Sequence, residues 1–135
     1  LRDLPGLLPP AIDEVLRVDE PLVPDRRSTT RPVELGGRRL DAGARLSLNW
    51  VAANRDGRAF DDPEVFRIDR DPSLNLLYGA GIHVCPGAPL ARLELRLLLE
   101  ELLARTRLIA LAAGQEPSRA VYPDAGYASL RIRMQ

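Results

Sequence analysis

The chain has 135 residues, 45% of them hydrophobic and 28% charged, a balance that supports one domain with a real core and excludes a disordered chain. Nineteen basic and nineteen acidic residues cancel, so no broad charge footprint points to nucleic acid or an anionic membrane, and any partner is expected to be small or local. One cysteine cannot form an internal disulfide, which makes a reducing, cytoplasmic setting the expectation and leaves Cys85 to be judged as a thiol.

The chain opens on Leu1 rather than Met and runs straight toward a helix, which suggests a preceding N-terminal portion. In "PPAIDEVLRVDEP", Pro10 suits a first helical turn, Ile12, Val15 and Leu16 supply an apolar stripe, and Pro21 acts as a stop, so a helix is predicted over Pro10 to Val18. Glycine-bearing turns at Gly36-Gly37 and Asp41-Ala42-Gly43 divide "VELGGRRLDAGARLSL" into short alternating segments, predicting a small antiparallel sheet over 33–48. A short helix is predicted over Asn49 to Arg55.

From Asp56 to Gly87 no period is sustained, apart from a single turn predicted at Asp62-Pro63. A segment this long without regular structure is usually functional, because its backbone groups must find partners elsewhere. The leucines from Leu90 to Leu103 then predict a long, mostly buried helix; charges from Arg92 to Arg107 exclude a membrane span. Leu108 to Leu111 and the alternating Leu130, Ile132 and Met134 predict C-terminal strands.

The stretch "YGAGIHVCPGAP" holds both the only cysteine and the only histidine, two positions apart. A thiolate binds zinc, copper, iron-sulfur clusters or haem iron, but zinc and iron-sulfur sites need several Cys or His ligands at set spacing, which the chain lacks. Haem brings four nitrogens and asks for a single axial ligand. Glycines at 79, 81 and 87 allow close backbone approach to a flat ring, and the positive end of the following helix faces an anionic sulfur.

The run Tyr78-Gly79-x-Gly81-x-His83-x-Cys85-x-Gly87, followed by "APLARLE", resembles the haem-binding signature of the haem-thiolate monooxygenases, the cytochrome P-450 family, in its bacterial-type form. The resemblance implies an α+β fold, mainly helical with small antiparallel sheets, of which residues 1–135 form the C-terminal, haem-binding part as a single incomplete domain. It also implies haem (iron protoporphyrin IX) as cofactor, with Cys85 as the metal ligand. Tyr78, Gly79, Gly81 and Gly87 would shape the loop, and His83 and Arg27 would meet the haem propionates, with Arg26 as the alternative to Arg27.

Glu14 and Arg17 match the family's E-x-x-R, implied to be a buried structural ion pair; from spacing alone they are an ordinary surface pair. "FDDPEVFRIDRDP" resembles the segment before the haem loop, but Val65 stands where many members carry the arginine that joins this pair, leaving Arg67 or Arg70 to compensate. Pro86 stands where leucine is common and has no N–H to offer the sulfur.

The family's distal A-G-x-[Asp/Glu]-Thr helix has no counterpart here. Ala113-Gly114-Gln115-Glu116-Pro117 has proline for threonine, lies after the haem loop, and is a chance match. The implied activity, in a complete enzyme, is oxidation of a small organic substrate with dioxygen and electrons from a ferredoxin or reductase; the isolated segment is expected to be inactive. The alternative is a truncated, non-catalytic relative acting as a structural or partner-binding module, self-associating or joined to a complementary N-terminal chain. Arg92 and Arg96 are either a patch for an acidic redox partner or a solvated face.

Overall fold

The computed structural model describes residues 1–19, 24–121 and 125–135. A single 3-10 turn, Pro5–Leu7, leads into helix α1, Leu8–Val18. The helix starts two residues earlier than predicted because Pro9 and Pro10 both fit in a first turn, where backbone N–H groups have no helical partner anyway. Its Leu8, Ala11 and Ile12 are buried, and so are its Glu14 and Arg17. The proposed stop at Pro21 lies outside the described residues; the last turn closes with the Asp19 N–H on the Val15 carbonyl at 2.7 Å.

Strand β1, Pro24–Ser28, pairs antiparallel with β4, Arg45–Asn49, setting Asp25 opposite Leu48 and Arg27 opposite Leu46. Strands β2, Val33–Leu35, and β3, Arg38–Leu40, form a separate hairpin. Gly36 and Gly37 make its two-residue turn at φ +56° and +76°, values that suit glycine. The single sheet expected over 33–48 is therefore two. Thr29 draws the chain away from the hairpin: its hydroxyl donates to the Asp41 carbonyl and accepts the Ala44 N–H, so β4 enters alongside β1.

Helix α2, Trp50–Asn54, begins where the Asn49 side chain accepts the Ala52 N–H at 3.0 Å. The irregular stretch that follows contains 3-10 turns at Pro72–Leu74 and Gly81–His83. Helix α3, Ala88–Arg105, lies antiparallel to α1, with Leu8 toward Leu103 and Ile12 and Asp13 facing Pro89, Arg92 and Leu93. At the C-terminal end β5, Ile109–Leu111, pairs with β8, Ile132–Met134. Between them β6, Ser118–Arg119, pairs with β7, Tyr127–Ser129. Leu130 falls between strands.

The architecture is α+β, mainly helical with small antiparallel sheets. One expectation fails: α3 is not mostly buried. Ala88 is its only buried residue, while Leu90, Leu93, Leu97 and Leu98 are between 43% and 59% exposed. Its leucines surround the helix, and α1 packs along it. No described helix is long and apolar enough to cross a membrane.

Candidate cofactor site

The irregular segment is organised by a buried charged knot. Arg17, 1% exposed, makes a two-pronged contact with Glu14, 5% exposed, through Nε to Oε2 and Nη2 to Oε1, each at 2.8 Å. Its Nη1 donates to the carbonyls of Asn54 at 2.7 Å and Pro63 at 2.8 Å. The third partner of Glu14 is Arg70, whose Nε lies 3.2 Å from Oε1 and whose other nitrogens take the carbonyls of Asp61, Asp62 and Val65. Arg67 contributes only its backbone N–H, at 3.0 Å, and turns its side chain to Asp69. Val65 enters through its carbonyl, so the position lacking an arginine side chain is covered by Arg70.

Phe60, 2% exposed, lies beneath both guanidiniums, at 5.2 Å from Arg17 and 5.8 Å from Arg70. Burial raises the Glu14 pKa, but the donors from Arg17, Arg67 and Arg70 outweigh it and hold the carboxyl below its ordinary value. The carboxylate is thus ionised and nearly saturated with donors, the condition for a buried charge to persist.

The cysteine loop is closed by a bond from the Cys85 N–H to the Tyr78 carbonyl at 2.8 Å. Gly79 at φ +72° and Gly81 at +66° make the reversal between them, and Cys85 is exposed. Gly87 departs from the expected backbone role: its φ is −82°, open to any residue, and an added Cβ would sit 3.7 Å from Cys85 Sγ in ordinary contact. The expected helix follows at once, with Gly87 as the N-cap of α3.

Cys85, His83, Tyr78, Gly79 and Arg27 line one concavity of about 360 Å³, completed by Asp25, Leu48, Trp50, Leu77 and Ala80. Gly81 and Gly87 belong to the loop but not to this wall, and neither does Arg26. Its backbone N–H lies on the Asp25 carboxylate and its side chain is on the exposed face of β1. Arg27 is paired with Asp25 at 2.5 Å, and this contact raises the Arg27 pKa and lowers that of Asp25. Trp50 and Asp25 were not singled out from sequence; strand alternation would have put Asp25 on the face of Arg27, but β1 carries no apolar pattern to announce a strand.

Arg92 and Arg96 are both engaged. Arg92 Nε pairs with Asp13 at 2.9 Å, and Arg96 lies 3.7 Å from Glu100.

The model of the family described as Cytochrome P450 matches residues 2–123. The chain belongs to the cytochrome P450 family. This P450 chain is 44% identical over 104 residues to the beta-dihydromenaquinone-9 omega-hydroxylase of Mycobacterium tuberculosis, covering 77% of the chain and 21% of that protein. It is 41% identical over 118 residues to the methyl-branched lipid omega-hydroxylase of Mycobacterium bovis, covering 87% of the chain and 27% of the relative. Its fold matches CYP109E1 of Bacillus megaterium, solved with corticosterone, at a TM-score of 0.92 and 38% identity, over 98% of the chain and 36% of that structure. The P450 chain thus spans about a fifth to a quarter of these curated relatives.

The donor set fits the P450 haem. Among the described residues no group of three or more His, Cys, Asp or Glu is placed to hold a bare metal ion, whereas one exposed thiol on an apolar wall suits a group that brings its other ligands. Arg27 and His83 place cationic or hydrogen-bonding groups on the same wall, suited to carboxylates.

Proposed function

We propose that this chain is the haem-binding part of a monooxygenase that oxidises a small organic substrate with dioxygen, receiving electrons from a ferredoxin or reductase. The observation that carries the reading is the placement of Cys85, His83 and Arg27 on one concavity. Cys85 would hold the iron as thiolate and Arg27 and His83 would hold the propionates, with Leu77, Tyr78 and Trp50 lining the same concavity. When bound, haem supplies the redox and oxygen chemistry. The chain's own work is to present the sulfur in a fixed loop: Gly79 and Gly81 make the reversal, and α3 begins directly after it. The resemblance assigns the oxygen-activating acid and alcohol to a helix upstream of α1.

Replacing Cys85 with Ala should abolish the red-shifted carbon monoxide band of the reduced haem-thiolate. A band that persists in the variant would remove Cys85 as ligand.

A second reading, a non-catalytic partner-binding module, is favoured by the exposed leucines of α3. Haem uptake separates the two, since the haem-binding part of a monooxygenase would take it up and the module would not.

A further inference from the structure

Two asparagine side chains converge on the stretch that leads into the cysteine loop. Asn54, fully buried at the end of α2, accepts the Leu76 N–H on Oδ1 at 2.8 Å, while its own carbonyl receives Arg17 Nη1. Asn75 accepts the Leu77 N–H on Oδ1 at 2.9 Å and donates from Nδ2 to the Asp13 carbonyl of α1, also at 2.9 Å. One residue further on, the Tyr78 carbonyl takes the Cys85 N–H, and the Leu76 carbonyl takes the Gly79 N–H at 2.8 Å. Successive backbone groups just before the loop are thus held by side chains anchored on α1 and α2, not by a sheet or helix of their own.

We propose that Asn54 and Asn75 are positioning residues for the sulfur ligand: they fix residues 76–78 against α1 and α2, and so set where the Tyr78 carbonyl holds the Cys85 backbone. An irregular segment has no ladder to define its register, so side-chain acceptors on consecutive N–H groups do that work. Asn54 also links the loop to the Glu14–Arg17 pair, since one residue receives Arg17 on its backbone and Leu76 on its side chain. Neither asparagine lines the concavity, so both act through the loop. The proposal rests on Cys85 as the haem ligand only in its second measurement below.

The first measurement is amide hydrogen exchange on the protein as isolated, without added haem, for Asn54→Ala, Asn75→Leu and the milder Asn75→Asp, which keeps the acceptor for Leu77 and loses the donor to Asp13. Exchange at Leu76, Leu77 and Cys85 should accelerate at least about tenfold in Asn54→Ala and Asn75→Leu, with α3 amides unchanged, and Leu77 protection should be retained in Asn75→Asp. Uniform acceleration across the chain, or no change at Cys85, would overturn the positioning role. The second measurement is the carbon monoxide difference spectrum of the haem-loaded protein. The same variants should convert part of the red-shifted band to the shorter-wavelength form that lacks thiolate ligation. A complete red-shifted band in both Asn54→Ala and Asn75→Leu would overturn the proposal, whereas a missing band in the unmodified protein would overturn the haem reading and leave the exchange result to stand alone.

Discussion

The guanidinium of Arg92 lies 4.6 Å from the centre of the Tyr78 ring while its Nε is paired with the Asp13 carboxylate. One side chain of α3 therefore touches both α1 and the first residue of the cysteine loop. Burial pushes the Tyr78 hydroxyl above its ordinary value of 10.0, so the ring meets the cation as a neutral phenol. With Arg92 45% exposed, solvent screens much of the ion pair. Arg92→Ala should lower stability by about 1 kcal/mol in urea unfolding, and Arg92→Lys should recover only part, because an ammonium has no flat face to lay on the Tyr78 ring while it donates to Asp13. Full recovery by Lys would mean that charge alone matters.

Glu14 should make stability depend on acid pH. Its folded pKa is lowered from 4.5, so its contribution is present above that value and is lost as pH falls through the folded value. The urea midpoint of the unmodified protein should fall below pH 4.5 more steeply than that of Glu14→Gln, which has no carboxylate to protonate. At neutral pH, Glu14→Ala should cost about 3–5 kcal/mol, because Arg17 and Arg70 would be left without their shared buried anion. A change within noise would contradict the burial seen here.

The loop glycines should not be equivalent. Gly79→Ala puts a side chain at φ +72°, with its Cβ 3.4 Å from the His83 carbonyl, and should cost about 1–2 kcal/mol. Gly87→Ala enters an ordinary backbone region and meets only Cys85 Sγ at 3.7 Å, so its stability cost should be smaller and its effect concentrated on the sulfur. Equal losses in thermal unfolding would show that the loop's reversal does not depend on Gly79.

Pro86 has no N–H to offer the neighbouring sulfur, and a thiolate with fewer hydrogen bonds is the stronger electron donor. Pro86→Leu in the haem-loaded protein should raise the reduction potential. An unchanged or lowered potential in redox titration would place that backbone position away from the sulfur.

Exposed leucines on α3 should drive association of the 135-residue chain on its own. Size-exclusion chromatography with light scattering should give a mass above 14.9 kDa. Leu97→Glu and Leu98→Glu together should shift it toward monomer, and a monomer from the start would show that this face tolerates water.

The helices, the hairpin turn and the grouping of the loop residues were legible because each is local: Pro10 with Ile12, Gly36 with Gly37, Gly79 with Cys85. Strand β1 was not, since "PDRRS" has no apolar alternation and its partner lies some twenty residues on. The third arm of the charged knot was also hidden, because Arg70 reaches Glu14 across 56 positions and nothing in the spacing prefers it to Arg67. The burial of α3 was misjudged for a related reason: leucine content reports what a helix can bury, and only its neighbours decide what it does bury. Asn54 and Asn75 gave no signal, since an asparagine in a turn-rich segment usually serves its own backbone.

The hairpin of β2 and β3 has a practical use. Among the described residues its strands pair only with each other, and Gly36 and Gly37 at its tip have open space where a Cβ would go. Their positive φ values argue against simple replacement but not against lengthening the turn, where the chain already reverses in solvent. A short epitope or a dye-labelling sequence inserted between Gly36 and Gly37 would ride on the molecule's outside, giving a handle for immobilisation or distance measurement that avoids the only native thiol.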